Sequence, residues 1–92
     1  MIAVQHDFTP ELKEKLIKLF KQNKRRYEIV MKKIEQICSS DEFTIEHYKN
    51  LRHGMSDRKR VHIDKSFVLT FKYDKEKKYI LFLDFDHHDN IY

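Results

Sequence analysis

Histidines and arginines with the chemistry of an RNA-cleaving site gather in the second half of this 92-residue chain. His62 stands in a basic run, Arg58-Lys59-Arg60-Val61-His62-Ile63, and His87 and His88 lie near the other end of that half. Histidine can give and take protons near neutral pH, and a guanidinium group binds phosphate oxygens through two parallel hydrogen bonds. These residue types could therefore cut RNA by acid–base chemistry without a metal ion.

Two helices are predicted ahead of these residues. The first covers residues 9 to about 23, because Thr9 can cap it and Pro10 suits a first helical turn. A short connection at residues 23–25 leads to a second helix over about 26–38, and a helical turn is expected near 44–48. Apolar residues recur at helical spacing in both: Leu12, Leu16 and Leu19 or Phe20, then Tyr27, Val30, Met31, Ile34, Ile37 and Cys38.

Beyond a loop at residues 50–57 the apolar residues alternate, as they do in strands. Strands are predicted at 61–63, 67–73 and 79–85, with a polar turn at 74–78, so they form an antiparallel meander. Residues 1–5 could add an edge strand. The helices are expected to cover the face that carries Val61, Ile63, Phe67, Leu69, Phe71, Leu81 and Leu83. Arg58, Arg60 and His62 then project from the opposite, open face.

Length and composition narrow the class of protein. A chain of 92 residues makes one domain, 1–92, of the α+β class. The net charge of +4 favours a polyanionic partner. The one cysteine, Cys38, rules out an internal disulfide and is expected in the core. No signal peptide or membrane-spanning run is visible, so we expect a soluble cytoplasmic protein with no membrane contact.

The order of these elements resembles the RelE/ParE superfamily of type II toxin–antitoxin toxins. The likeness runs over nearly the whole chain: a helical hairpin, a basic loop, the strand Arg-Lys-Arg-Val-His-Ile, the strand Ser-Phe-Val-Leu-Thr-Phe and a closing His-x-x-Ile-Tyr. The histidine-rich, YafQ-like branch is the most similar. The resemblance implies the order β-α-α-β-β-β, with an N-terminal helical hairpin packed on a small antiparallel sheet.

The resemblance also implies an activity. Members of this family cut mRNA in the ribosomal A site, and a RelB/DinJ-like antitoxin neutralises them. The partners implied are thus the ribosome, mRNA and a cognate antitoxin, and no cofactor or metal is expected. The residues that match the family's site are His53, Arg60, His62, His88 and Tyr92.

The chemistry of RNA cleavage suggests a role for each matched residue. His62 would be a base or phosphate contact and His88 an acid, although the two could be interchanged. His53 would be a base or substrate ligand, Arg60 would stabilise the developing charge, and Tyr92 would stack on a base or orient the nucleotide. Further RNA contacts are predicted at basic residues of the loop and the first meander strand: Lys49, Arg52, Arg58 and Lys59.

Some positions depart from the family pattern. Val68 stands where many relatives carry an arginine, and Ser66 stands near an aspartate of the YafQ-like branch. Asp84, Asp86 and Asp89 add negative charge near the proposed phosphate site. These departures put the rate of cleavage, and even activity itself, in question.

Two other interpretations remain open. The tail residues Asp84, Asp86, His87, His88 and Asp89 resemble a metal-ligand cluster. Neighbouring residues of one strand point to opposite faces, however, so they cannot all reach one ion. The second alternative is a non-catalytic module of the same fold that binds RNA or an antitoxin.

Overall fold

Three helices and four strands form the fold in the parts of the chain that the computed structural model describes, residues 5–49 and 58–87. They follow one another as β1 (Gln5–Phe8), α1 (Pro10–Gln22), α2 (Lys24–Ser39), α3 (Glu42–Glu46), β2 (Lys59–Ile63), β3 (Phe67–Asp74) and β4 (Tyr79–His87). The strands lie in one sheet in the order β1-β4-β3-β2. The α+β class and the β-α-α-β-β-β order are confirmed, and the helical turn expected near 44–48 forms as the short helix α3, which begins two residues earlier.

The sheet is mixed. β2, β3 and β4 form the antiparallel meander that the alternating pattern predicts. β1 runs parallel to β4, with Gln5 opposite Tyr79 and Phe8 opposite Phe82. The expectation of a purely antiparallel sheet is therefore wrong at this edge. The edge strand begins at Gln5 in the described residues, and positions 1–4 lie outside them.

Capping side chains determine where the helices begin. Thr9 caps α1: its Oγ1 accepts from the Leu12 N–H at 3.2 Å and donates to the Leu83 carbonyl at 2.6 Å. Asn23 caps α2 by accepting from the Arg26 N–H at 3.1 Å, while its own N–H donates to the Leu19 carbonyl. One residue therefore joins α1 to α2, and α2 begins at Lys24, two residues earlier than predicted.

The core lies between α1, α2 and one face of the sheet. Its fully buried members come from both layers: Leu12, Val30, Ile37, Ile45, Leu69, Phe71, Ile80 and Phe82. Leu19 packs against this core whereas Phe20 is 47% exposed, which decides between the two residues left open by the pattern. Cys38 is buried as expected, and burial raises the pKa of its thiol to about 11.

The prediction that Leu81 and Leu83 face the helices is wrong. Ile80 and Phe82 occupy that face and are fully buried. β4 is apolar at successive positions, so a period of two fits either phase. An irregularity opposite Thr70/Phe71 then shifts the register, since Phe82 pairs with Phe71 while Phe85 pairs with Leu69. An extra residue of this kind lets Phe82 and Phe85 share one face although three positions separate them.

We expect Leu12→Ala to lower the free energy of unfolding by about 2–5 kcal/mol, because it leaves a cavity in the core. Ile17→Ala on the same helix is the matched control. Ile17 is 58% exposed, so its truncation should change stability by no more than about 0.5 kcal/mol. Urea unfolding followed by circular dichroism measures both, and equal losses would contradict the assignment of the buried face of α1.

Candidate RNA-binding pocket and open sheet face

Arg60 and His62 project from the sheet face opposite the helices. In the register of β2 and β3, Arg60 lies opposite Thr70 and His62 lies opposite Val68. Directly paired residues share a face of the sheet. The pair Val61–Leu69 stands between these two pairs along the strand and occupies the helix-covered side, so Arg60 and His62 point the other way. The prediction that Arg60 and His62 lie on the sheet face opposite the helices is therefore confirmed.

A pocket with a volume of 380 Å³ lies along β2, the outer strand of the meander. Its lining residues come from β2 and from the segment that follows α3: His47, Tyr48, Lys49, Arg60, Val61 and His62. The Arg60 N–H donates to the Lys49 carbonyl at 2.8 Å, which fastens the segment to the strand. The pocket thus collects two imidazoles, a guanidinium and an ammonium group, and could bind a phosphate.

Lys59 holds one wall of this pocket in place. Its ammonium group donates to the carbonyl oxygens of Glu46 at 2.9 Å and Tyr48 at 3.2 Å, at the C-terminal end of α3. A cation is favourable there because the helix dipole leaves negative charge on the last carbonyls. Burial lowers the pKa of Lys59, and the charge of Glu46 partly opposes that effect. These contacts give Lys59 a structural role, and its predicted contact with RNA remains a prediction.

His47 is a pocket residue that the sequence reasoning missed. Its Nδ1 lies 2.7 Å from the Phe43 carbonyl oxygen, which can only accept, so Nδ1 donates. The two rings lie 4.1 Å apart at an angle of 34°. The signal in the sequence was the i, i+4 spacing of Phe43 and His47 in a segment expected to form a helical turn.

An ion-paired cluster lies on the same face, two strands away from Arg60 and His62. By register, Asp84 is in line with Thr70 and Arg60, and Asp86 with Val68 and His62. The ammonium group of Lys15 binds Asp84 at 2.7 Å and Asp86 at 3.1 Å. Partial burial disfavours the charge on Lys15, but the hydrogen bonds and charges of the two carboxylates outweigh it and raise its pKa.

Between these groups, the side chains on the face opposite the helices are buried and uncharged. Val68 is fully buried and Thr70 nearly so, and the Thr70 hydroxyl donates to the Asp84 carbonyl at 3.3 Å. The valine at position 68 therefore supplies no charge to this part of the face. Ser66 lies in the exposed turn before β3, and its N–H donates to the Asp64 carbonyl at 2.7 Å.

Some of the remaining predicted residues lie within the described part of the chain and the others lie outside it. Lys49 lines the pocket, and Arg58 is exposed immediately before β2. His87 pairs with Phe67, so it belongs to the helix-covered side of the sheet. The predictions at His53, Arg52, His88, Tyr92 and Asp89 lie outside the described residues.

In residues 5–49 and 58–87, no three His, Cys, Asp or Glu side chains group as metal ligands. Across the same ranges, none of the helices has the length and apolar character required to cross a membrane.

Solved structures share this fold. The chain matches the toxin–antitoxin complex RelBE2 from Mycobacterium tuberculosis with a TM-score of 0.63 and 17% identity, covering 95% of this chain and 100% of that one. It matches the intact Escherichia coli RelBE toxin–antitoxin complex with a TM-score of 0.62 and 20% identity, covering 92% and 96% of the two chains. The fold is that of RelE-type toxins.

Two other proteins have a higher sequence identity to this chain than these solved structures do. A Methanocaldococcus jannaschii protein named "Putative toxin RelE4" is 50% identical over 86 residues, which is 94% of this chain and 87% of the relative. An uncharacterized protein of Methanosarcina mazei is 45% identical over 82 residues, 89% of this chain and 91% of the relative. No protein-family model matches the chain. At this identity and coverage, the chain belongs to the RelE toxin family.

We expect Lys15→Met to lower the free energy of unfolding at pH 7 by about 1 kcal/mol or less, as is usual for partly exposed ion pairs. Lys13→Met removes the same charge from an exposed position of α1 and should have a smaller effect. Because the folded-state pKa of Lys15 is raised, its contribution is complete below the unfolded pKa of 10.5 and is lost as the pH rises through the folded value. Urea unfolding of both variants at pH 7 and above pH 10.5 measures these changes in the free energy of unfolding. A loss of stability in Lys13→Met but not in Lys15→Met would contradict the prediction.

Proposed function

We propose that this protein is the toxin of a RelBE-type toxin–antitoxin system and cuts mRNA on the ribosome by metal-free acid–base chemistry. The observation that carries the proposal is the pocket along β2, where Arg60 and His62 meet Lys49 in a member of the RelE family. A guanidinium group can bind phosphate and an imidazole can transfer protons, and this pocket supplies both.

The reaction proposed uses the 2′-hydroxyl of the substrate as nucleophile. A base removes the 2′ proton, the 2′ oxygen bonds to the adjacent phosphorus, and the bond from phosphorus to the 5′ oxygen breaks. An acid protonates the departing 5′ oxygen, so the products are a 2′,3′-cyclic phosphate and a 5′-hydroxyl. Arg60 would stabilise the charge that develops on the phosphate oxygens, and His62 would act as base or phosphate contact.

The proposed site extends beyond the pocket. His88 is the acid in this proposal, His53 a second base or substrate ligand, and Tyr92 an aromatic surface for a base. The roles of His62 and His88 could be interchanged, since an imidazole performs either step. All three residues follow from the family resemblance and lie outside the described residues.

The distribution of charge suits an RNA substrate. Asp84 and Asp86 would repel phosphate from this face, and Lys15, which binds both carboxylates, offsets one of their two negative charges. The whole chain carries a net charge of +4, which favours contact with ribosomal RNA and mRNA. Lys49, Arg52, Arg58 and Lys59 are the basic residues proposed to bind the RNA backbone.

A cognate antitoxin is the protein partner proposed. Two of the solved neighbours are complexes of toxin and antitoxin. The helical hairpin of this chain carries an apolar groove of 310 Å³ lined by Leu16, Ile17, Phe20, Lys21 and Tyr27. An extended or helical antitoxin segment could place apolar side chains there, with acidic residues beside Lys21.

We expect His62→Ala to lower the rate of mRNA cleavage by about 100- to 10,000-fold, because the variant loses a proton-transfer group. Primer extension on a reporter mRNA, after inducible expression in a bacterium, measures cleavage together with growth arrest. Arg60→Lys should also be impaired, since an ammonium group keeps the charge but loses the paired hydrogen bonds. His6→Ala is the matched control, an exposed histidine on β1 at the opposite edge of the sheet.

The mechanism has its own test. A reporter mRNA with a single 2′-deoxynucleotide 5′ to the scissile phosphate should resist cleavage at that phosphate in a reconstituted translation reaction. Cleavage that persists there, or products with a 5′-phosphate, would rule out the 2′-hydroxyl mechanism. Ribosome binding without cuts in the wild-type protein would instead indicate a non-catalytic module of the same fold.

A further inference from the structure

The geometry around α3 points to a stacking platform for a nucleobase: we propose that Phe43 and His47 hold a base of the RNA whose phosphate occupies the neighbouring pocket. This inference rests on the proposed function, because it assigns an RNA contact to the same site. It adds a stacking surface that adjoins the pocket of Arg60 and His62 and that contacts the base of the nucleotide and not its phosphate.

Phe43 is the most exposed of the large apolar side chains in the described residues, at 70%. It lies on α3, whose attachment to the core is made by the fully buried Ile45. The helix therefore does not require an aromatic ring at position 43 for its own packing. An exposed aromatic ring beside a cluster of cationic groups is the arrangement that proteins use to bind single-stranded RNA.

The platform is fixed in place. The centroids of the Phe43 and His47 rings lie 4.1 Å apart and their planes meet at 34°, so the two rings stack face to face and leave the outer face of the exposed Phe43 ring for a base. The His47 Nδ1–H bonds to the Phe43 carbonyl at 2.7 Å, which sets the orientation of the imidazole. Lys59 binds the carbonyls of Glu46 and Tyr48 on either side of His47. A surface held in this way loses little conformational freedom when a base stacks on it.

The platform and the pocket are joined through His47, which belongs to both. His47 lines the pocket together with Lys49, Arg60 and His62. A nucleotide carries its base and its phosphate on one sugar, so a stacking surface at the rim of a phosphate pocket suits one nucleotide or two successive ones. The adjoining positive charge favours RNA over an apolar peptide as the occupant of this surface.

A single tryptophan can report the contact directly, because the chain contains none. In Phe43→Trp, binding of a short 2′-O-methyl oligoribonucleotide, which cannot be cut, should quench the tryptophan fluorescence. An abasic oligomer of the same length and charge should quench it much less. Thr44→Trp is the matched control, since the next residue of α3 points away from the Phe43–His47 surface. We expect little quenching there with either oligomer.

The affinity should follow the aromatic ring. Phe43→Leu keeps an apolar side chain but removes the ring, and we expect it to weaken binding of the oligoribonucleotide by about 5- to 150-fold. Phe43→Tyr should bind within about 3-fold of the wild type, since it retains a stacking face. In the translation reaction, Phe43→Leu should raise KM for programmed ribosomes more than it lowers kcat.

The outcomes separate this inference from the proposed function. If the wild type arrests growth and cuts mRNA while Phe43→Leu binds and cleaves like it, the platform is overturned and the endonuclease stands. If Phe43→Leu loses only antitoxin binding, the ring is a protein contact and the platform is again overturned. If the wild type neither binds the oligoribonucleotide nor arrests growth, both proposals fail. Base-dependent quenching in Phe43→Trp with weakened binding in Phe43→Leu supports the platform.

Discussion

The candidate site depends on the attachment of the segment after α3 to the outer strand of the sheet. Lys59, the first residue of β2, donates to the carbonyl oxygens of Glu46 and Tyr48, and the backbone N–H of Arg60 donates to the carbonyl of Lys49. Without these bonds His47 and Lys49 would belong to a loose connection, and Arg60 and His62 would stand on a flat sheet face. Lys59 thus shapes the pocket, whereas Arg60, the residue after it, is the one proposed to contact the phosphate.

The apolar core lies on the helix-covered side of the sheet, which lets so small a chain place its charged residues on the other side. The helices and the buried residues of β3 and β4 fill the space on one side of the sheet, and the irregularity opposite Thr70/Phe71 keeps both Phe82 and Phe85 within it. The opposite face is left for Arg60, His62 and the ion pairs of Lys15. Even there, Val68 and Thr70 are buried, so the charged groups stand at the margins of the face.

The sequence predicted which segments form helices and strands, but it did not predict which side chains of β4 face the helices. Local signals such as the Thr9 cap, the helical apolar stripes and the alternation in β2 and β3 determine their own elements, because each arises from neighbouring residues. β4 is apolar on both sides, so its orientation depends on the register with β3, which no local pattern contains. The site shows the same division. Arg60 and His62 could be placed on the open face from alternation alone. His47 and the Lys15 ion pairs require knowledge of which segments meet in space.

The pairing of β1 with β4 has a consequence for the timing of folding. Gln5–Phe8 completes the sheet only by lying against Tyr79–Phe82, and the Thr9 hydroxyl bonds to Leu83, 74 positions further along the chain. A polypeptide emerging from a ribosome presents its first strand long before the strand that must receive it has been made. The nascent protein therefore remains without its finished sheet until β4 has left the ribosomal tunnel.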